Sequence, residues 1–249
     1  MLLQEKIALV VGVKDGIGSI TAQKMAQEGA KVIVADRNVN RGEAIVKKIK
    51  DAGGESIFLE MDITLNRYHR ASIARIVREY GRLDIAFNNV SVDGDSLPLV
   101  KQSETMVAGV IDVNFNGMWL SLKYQIEQML KNGGGAIVNN VCNFKTDGSI
   151  GCSIYRATKS AVATMSQAAA MEYSRNNIRI NTIFPGLLEG YPRNLDRDIM
   201  RNNPAIVPMN RLGNPQEVAE VVAWLCSDKA SYITGQSLAV DGGLSALKP

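Results

Sequence analysis

The feature that most restricts what this chain can become is the regular alternation of two hydrophobic periods along nearly its whole length. Short β-branched runs, Ile7 to Val11, Lys31 to Ala35, Ser56 to Glu60, Leu83 to Phe87 and Ala136 to Val141, read as strands. Between them, Ile17 to Glu28, Arg41 to Ala52, Arg70 to Tyr80, Glu104 to Phe115 and Gly117 to Leu130 carry apolar residues three and four apart and read as amphipathic helices. The order continues with a helix from Ser153 to Ser174, a strand from Ile178 to Phe184, a helix from Pro215 to Ser227 and a strand near Gln236 to Val240. Helical crossovers of this length join parallel strands, so the pattern predicts a doubly wound parallel sheet in a three-layer α/β/α fold. No linker or internal repeat interrupts it, and residues 1–249 read as one domain. Only Leu187 to Asn210, rich in Arg, Asn and Pro, breaks the pattern; it reads as a loop with a short helix, a candidate lid over a substrate.

Composition narrows the function classes. A chain of 249 residues with 46% apolar and 21% charged residues buries most of its surface without disulfides or a structural metal. Its +3 charge is spread along the length, with no basic stripe for nucleic acid or anionic lipid. The early apolar run Ile7 to Val13 is flanked by charges, is too short for a membrane span and has no signal-peptide cleavage site. Cys142, Cys152 and Cys226 form no C-x-x-C pair and read as free thiols in a reducing, cytoplasmic setting. The single histidine, His69, cannot build a His-rich metal site, so no metal is expected. Among Arg67, Tyr68 and Arg70, it reads as a solvated surface residue.

The first predicted strand runs into Val11-Gly12-Val13-Lys14-Asp15-Gly16-Ile17-Gly18 and then into a helix. Glycines there permit a tight turn, close approach of a pyrophosphate and close helix–strand packing, with helix amides facing the anion. Asp36 closes the second strand, within the roughly 20-residue offset at which a carboxylate bonds the adenosine ribose of NAD and repels a 2′-phosphate. Capping of the following turn is the plain structural alternative for Asp36. Arg37 next to it, able to stack on adenine or pair with a 2′-phosphate, and Lys14 in the loop leave NADP(H) open beside NAD(H), while Asp15 weighs against it. Farther on, Tyr155 and Lys159 stand four apart in a helix-like segment and so share a face. A neighbouring ammonium favours the phenolate and makes tyrosine a general acid/base for an alcohol or carbonyl.

Taken together, these motifs make the chain similar to the short-chain dehydrogenase/reductase family over essentially its full length. The matching residues are Gly12, Gly16, Ile17 and Gly18; Asp36; Asp62 in Met61-Asp62-Ile63-Thr64; Asn88-Asn89; Asn114; Tyr155 and Lys159; Asn181 with Pro185-Gly186; and Val240-Asp241-Gly242-Gly243. The resemblance implies a Rossmann-like fold and hydride transfer between a nicotinamide and a secondary alcohol or ketone, with Tyr155 as acid/base. It also implies that Lys159 holds the nicotinamide ribose and that Asn114 helps keep a water in the proton relay. The pyrophosphate falls to Gly12, Ile17 and Gly18, the adenine to Asp62 and Ile63, the riboses to Asn89 and its neighbours, and the carboxamide to the Leu188 backbone near Pro185 and Gly186. By the same resemblance the chain forms a homotetramer through its Gly117 to Leu130 and Ser153 to Ser174 helices.

The chain departs from the family pattern where the chemistry would occur. Thirteen positions before Tyr155, where the family has a serine that bonds the substrate oxygen, stands Cys142. A thiol is a weaker donor, and loss of one such donor costs about 10² to 10³ in rate. Asn143 is the expected substitute donor, and Lys145, if it faces the pocket, suits an anionic substrate. Val11, Val90-Ser91 and Gly190 replace residues usual in the family. The leading expectation is an NAD-dependent oxidoreductase; the alternatives are a cofactor-assisted lyase or isomerase using Tyr155, and a non-catalytic NAD-binding protein.

Overall fold

Strand β1 (Ile7–Val11) lies inside the sheet, and its five residues are buried alternately toward opposite faces. Around it a computed structural model, which describes residues 1–14, 16–141, 152–190 and 207–246, places β2 (Lys31–Asp36), β3 (Ser56–Glu60), β4 (Ile85–Asn88), β5 (Gly135–Asn140), β6 (Ile178–Pro185) and β7 (Ser237–Val240). The order is β3-β2-β1-β4-β5-β6-β7, and every pairing is parallel. This is the doubly wound sheet that the alternation predicts.

The helices are α1 (Ile17–Gln27), α2 (Val39–Asp51), α3 (Asn66–Tyr80), α4 (Glu104–Ile111), α5 (Gly117–Asn132), α6 (Ser153–Tyr173) and, past the segment 191–206 that lies outside the described residues, α7 (Pro215–Cys226). One face of the sheet packs Ala8, Val10, Val32, Val34, Phe87 and Val138 against Ala22 and Met25 of α1, Ile45 and Ile49 of α2, and Val218 and Val222 of α7. The other packs Leu9, Val11, Ile33, Ala86 and Ile137 against Ile76 of α3, Leu122 and Ile126 of α5, and Ala169 and Ala170 of α6. Burial on both faces explains why the strands read as continuous apolar runs. The three layers make one domain.

Several elements differ from the sequence reading. Strand β4 begins at Ile85, two residues late, because Asp84 turns its carboxylate back to accept the Ile7 amide at 2.9 Å and Arg82 Nε at 2.7 Å. The two helices expected at Glu104 to Phe115 and Gly117 to Leu130 are joined through a π-helical turn, Asp112–Asn116, in which Gly117 N bonds Asp112 O. Such turns are rare and cluster at functional sites. Cys226 is buried, and burial pushes its thiol up to about 12, which makes it an inert core residue.

His69 requires a correction. It is not on the surface: α3 starts at Asn66 rather than Arg70, and the histidine is only 2% exposed on that helix's inner face. Its Nε2 lies 2.7 Å from the carbonyl oxygen of Ile63, and its ring stacks on Tyr124 of α5 with centroids 5.9 Å apart. A carbonyl only accepts, so Nε2 carries the proton. Burial lowers the imidazole pKa below its usual 6.5, against the raising effects of the Ile63 carbonyl and the Asp62 charge. The unfolded chain therefore binds this proton more readily than the native one. The stabilising contribution is complete above the unfolded value of about 6.5 and is lost as the pH falls from there through the lower folded value. Denaturant midpoints measured between pH 7.5 and 5 are expected to fall for the native sequence, and to fall less steeply for His69→Gln.

Candidate functional site

The strand order reverses between β1 and β4, and the crevice at the carboxyl ends of these strands is where ligands bind in open α/β sheets. Gly12 turns the chain out of β1 with φ +85°, its amide donating to Ala35 O at 2.8 Å. Gly18, in the first turn of α1, faces it so closely that a Cβ there would lie 2.1 Å from Gly12 O and 2.6 Å from Asn89 Nδ2. Asn89 Nδ2 in turn donates to Gly12 O at 2.8 Å. Gly16 is the N-cap of α1 and supplies no side-chain cap, and the first turn holds no acidic residue. The α1 amides are thus left for an anion. Ile17 is buried in the core behind them. This shape, a turn that no Cβ could enter below an uncapped helix, fits a dinucleotide pyrophosphate.

At the end of β2, Asp36 is nearly buried and both carboxylate oxygens already accept backbone amides, Oδ2 from Val13 at 2.9 Å and Oδ1 from Asn38 at 2.8 Å. Arg41 Nη1 stands 3.7 Å from Oδ1. The residue therefore does cap its turn, as the plain reading had it, and it also ties the glycine turn to β2. Each oxygen retains a second lone-pair direction. Arg37 is exposed, with Nε 3.7 Å from Asp62 Oδ2. Burial acts to raise the Asp62 pKa, but bonds from the Thr64 hydroxyl and amide, with Arg37 and Arg67 nearby, leave it below the usual carboxylate value. Ile63 beside it is buried.

The third cluster sits on α6. Tyr155 and Lys159 share one face and are buried at 5% and 4% exposure, with Lys159 Nζ 5.7 Å from the Tyr155 ring centroid and 3.5 Å from Val90 O. Asn114, fully buried in the π-turn, clamps Val92 by accepting its amide at 2.9 Å and donating to its carbonyl at 2.8 Å. The same Nδ2 reaches Thr158 Oγ1 at 3.3 Å, and that hydroxyl donates to Tyr155 O at 2.7 Å. The glycine turn, the β4 exit and α6 are thus bonded together. Asp15, Cys142, Asn143 and Lys145 lie outside the described residues.

Sequence reasoning missed two features. Asn88 donates to Gln125 at 2.9 Å and Asn139 at 2.8 Å, and Asn139 donates to Ser166, a buried network joining β4, α5, β5 and α6 beneath the site. Asn140 donates to Asn89 Oδ1 at 2.6 Å. Because Gly12 O can only accept, the Asn89 and Asn140 amides have one consistent orientation, which leaves Asn140 Oδ1 buried with no donor among the described residues. Three asparagines closing two adjacent strands were the available signal.

On the far side, β6 ends in Pro185, and Gly186 N donates to Val240 O. Leu188 pairs with Gly213, a contact closed by Glu189 N to Gly213 O and Gly213 N to Leu187 O, both 2.9 Å. A cavity of about 320 Å³ opens here, lined by Leu187, Leu188, Val207, Met209 and Val218, with Asp241 at its edge. Among the described residues no group of three or more His, Cys, Asp or Glu side chains is gathered as a metal site, and no helix is long and apolar enough to cross a membrane.

Comparison with known proteins gives the same picture. Residues 12–245 match the family model described as Enoyl-(Acyl carrier protein) reductase. Cyclohexanol dehydrogenase of an Acinetobacter species is 35% identical over 243 residues, 97% of this chain and 95% of that one. 2,5-Dichloro-2,5-cyclohexadiene-1,4-diol dehydrogenase of Sphingobium indicum is 34% identical over 247 residues, 98% of this chain and 97% of that one. The crystal structure of a short-chain type dehydrogenase/reductase from Mycobacterium marinum superposes with a TM-score of 0.89 at 26% identity, covering 98% of this chain and 96% of that one. The close approach of Gly18 to Gly12 makes a direct prediction. Gly18→Ala must push α1 off the turn and break the Asn89 bond, an overpacking cost of about 1–3 kcal/mol, read as a lower denaturation midpoint together with weakened dinucleotide binding by calorimetry.

Proposed function

The chain belongs to the short-chain dehydrogenase/reductase family, and from that premise we propose that it is an NAD-dependent oxidoreductase acting on a secondary alcohol/ketone pair, with Tyr155 as general acid/base. The observation that carries the reading is the buried Tyr155–Lys159 pair, held beside the glycine turn by the Asn114 and Val90 contacts. When bound, the nicotinamide supplies the hydride acceptor or donor. The rest falls to this chain. Lys159 holds the nicotinamide ribose and keeps an ammonium near the Tyr155 ring, which favours the phenolate over the phenol. Tyr155 Oη takes the proton from the substrate hydroxyl in oxidation and returns one to the carbonyl oxygen in reduction. Asn114 fixes the backbone at Val92 and the first turn of α6, and helps keep the water through which the proton leaves.

Gly12, Ile17 and Gly18 are the pyrophosphate residues of this reading, with Asp15 and Gly16 in the same cofactor-binding turn, Asp36 the adenosine ribose residue, Asp62 and Ile63 the adenine wall, Asn89 and its neighbours the ribose contacts, and Pro185, Gly186 and Leu188 the nicotinamide wall. The carboxylate of Asp36 favours NAD(H), and Arg37 keeps NADP(H) within reach. Cys142 stands in for a serine hydroxyl as a weaker donor to the substrate oxygen, with Asn143 beside it and Lys145 as a contact for an anionic substrate. The substrate lid expected over residues 187–210 lies mostly outside the described residues. Two relatives are dehydrogenases of six-membered-ring alcohols, so the favoured substrate is a cyclic secondary alcohol. The family context also favours a cytoplasmic homotetramer packed through α5 and α6, on which Trp119 and Met171 stand exposed.

The test is a calorimetric titration with NAD, NADH, NADP and NADPH, then a panel of cyclic and secondary alcohols followed at the nicotinamide absorbance. NAD(H) is expected to bind more tightly than NADP(H) and to be turned over. Tight binding with no turnover across the panel would transfer the assignment to a lyase or a non-catalytic binding protein. Tyr155→Phe is expected to abolish turnover with NAD binding nearly unchanged, and comparable activity in that variant would discard the mechanism. Cys142→Ser is expected to preserve or raise turnover on simple alcohols, whereas its complete loss would reveal thiol-specific chemistry.

A further inference from the structure

The residues between β3 and α3 have an unusual source of order. Asp36 pairs with Glu60 and its carbonyl accepts the Met61 amide, so Asp62 and Ile63 emerge at the carboxyl edge of the sheet beside Asp36. The turn closes on itself through Leu65 N to Asp62 O and Thr64 N to Asp62 Oδ1. Neither bond uses the Ile63 carbonyl, and no backbone amide among the described residues is aimed at it. Its partner is His69 Nε2, six residues along, at 2.7 Å.

The imidazole is itself held in place. Its ring stacks on Tyr124 at an interplanar angle of 19°, and Tyr124 Oη donates to Asn66 Oδ1 at 2.7 Å, which binds α5 to the first residue of α3. On the other side of Ile63, α5 begins at Gly117, where a Cβ would stand 2.6 Å from Ile63 Cγ1 and 3.1 Å from Ile63 O. Ile73 and Ile76 fill this face with apolar side chains and Ser72 with a small one, whereas His69 brings a full ring with a polar edge. An imidazole that gives its one proton to a loop carbonyl fixes where that loop stands.

We infer that His69 is a positioning residue for the adenylate half of a bound dinucleotide, setting the Asp62–Ile63 wall through its Nε2–H bond to the Ile63 carbonyl. The inference rests on the dinucleotide reading above. The bond fixes the peptide that follows the β3 exit, so the Ile63 side chain and the Asp62 carboxylate present one geometry to an adenine before it arrives. That preorganisation spares the ligand the cost of ordering the loop. The nicotinamide half lies on β4, β5 and α6 and makes no use of the bond.

The test compares His69→Phe, which keeps an aromatic ring of similar volume and deletes the donor, with His69→Gln, whose amide can still donate to the same carbonyl. Calorimetry with ADP-ribose reads the adenylate half alone, and competition by nicotinamide mononucleotide reads the other. Phe is expected to raise the ADP-ribose Kd about tenfold, the size of one net hydrogen bond. Gln is expected to stay within about twofold of the native value, with mononucleotide affinity equal in all three proteins. If His69→Phe does not give the native far-ultraviolet dichroism, His69→Met is read in its place. Equal ADP-ribose affinity in the donor-deleted and native proteins overturns the inference, as does equal weakening in the Phe and Gln variants or a parallel loss of mononucleotide affinity. A native protein that fails to bind ADP-ribose overturns the dinucleotide reading itself and this inference with it.

Discussion

At the carbonyl of Gly12 the molecule has little room and much to arrange. That carbonyl faces the first turn of α1 at a distance that only a hydrogen on Gly18 tolerates, and it receives the side-chain amide of Asn89 at 2.8 Å. That one bond joins the exits of β1 and β4, the two strands between which the sheet changes direction. It also dictates the orientation of the next amide, because Asn89 must turn its oxygen toward Asn140. Asn140 Oδ1 is consequently left buried without a donor among the described residues. An unpaired buried acceptor costs roughly 1–3 kcal/mol, a cost that structures tolerate chiefly where a ligand or an ordered water will complete the bond.

Below that line the fold sets polar groups where its hydrophobic alternation would otherwise continue. Asn88, Gln125, Asn139 and Ser166 satisfy one another in the core between β4, β5, α5 and α6. An apolar set of the same volume would pack as well, but it would permit sliding of α6 over β5. Directional bonds do not, and α6 carries Tyr155 and Lys159. Thr158 and Asn114 repeat the arrangement one layer higher, joining the π-turn to the first turn of α6. Tyr155 and Lys159 are thus located by amides on β4, α5, β5 and the π-turn, together with hydroxyls of α6 itself.

Much of this was legible in the sequence wherever the information is local. The alternation of strand and helix periods, the glycine turn, Asp36 and the Tyr155–Lys159 spacing are patterns within a few residues, and the sheet order follows from them with little freedom. The polar network was not legible, since its members are 27 to 51 residues apart and each looks ordinary alone. His69 was misread for a different reason. Its immediate neighbours Arg67, Tyr68 and Arg70 are polar, but Ser72, Ile73 and Ile76 stand three, four and seven residues beyond it on the inward face. Starting the helix four residues earlier would have placed it on that stripe. For Asp36 the structure bears out the plain structural reading, since its carboxylate accepts the Val13 and Asn38 amides and so holds the turn.

The short pairing of Leu188 with Gly213 has a meaning beyond the cavity it borders. It holds Leu188 and Gly213 side by side, so the two ends of the stretch between them are already joined. A stretch anchored in this way can be lengthened, shortened or rewritten at little thermodynamic expense, because doubling a loop whose ends are already joined adds only about 0.6 kcal/mol of closure entropy. The scaffold therefore separates two tasks. The sheet edge is fixed by its pairings, while the clasp leaves the length of the stretch it closes free to vary.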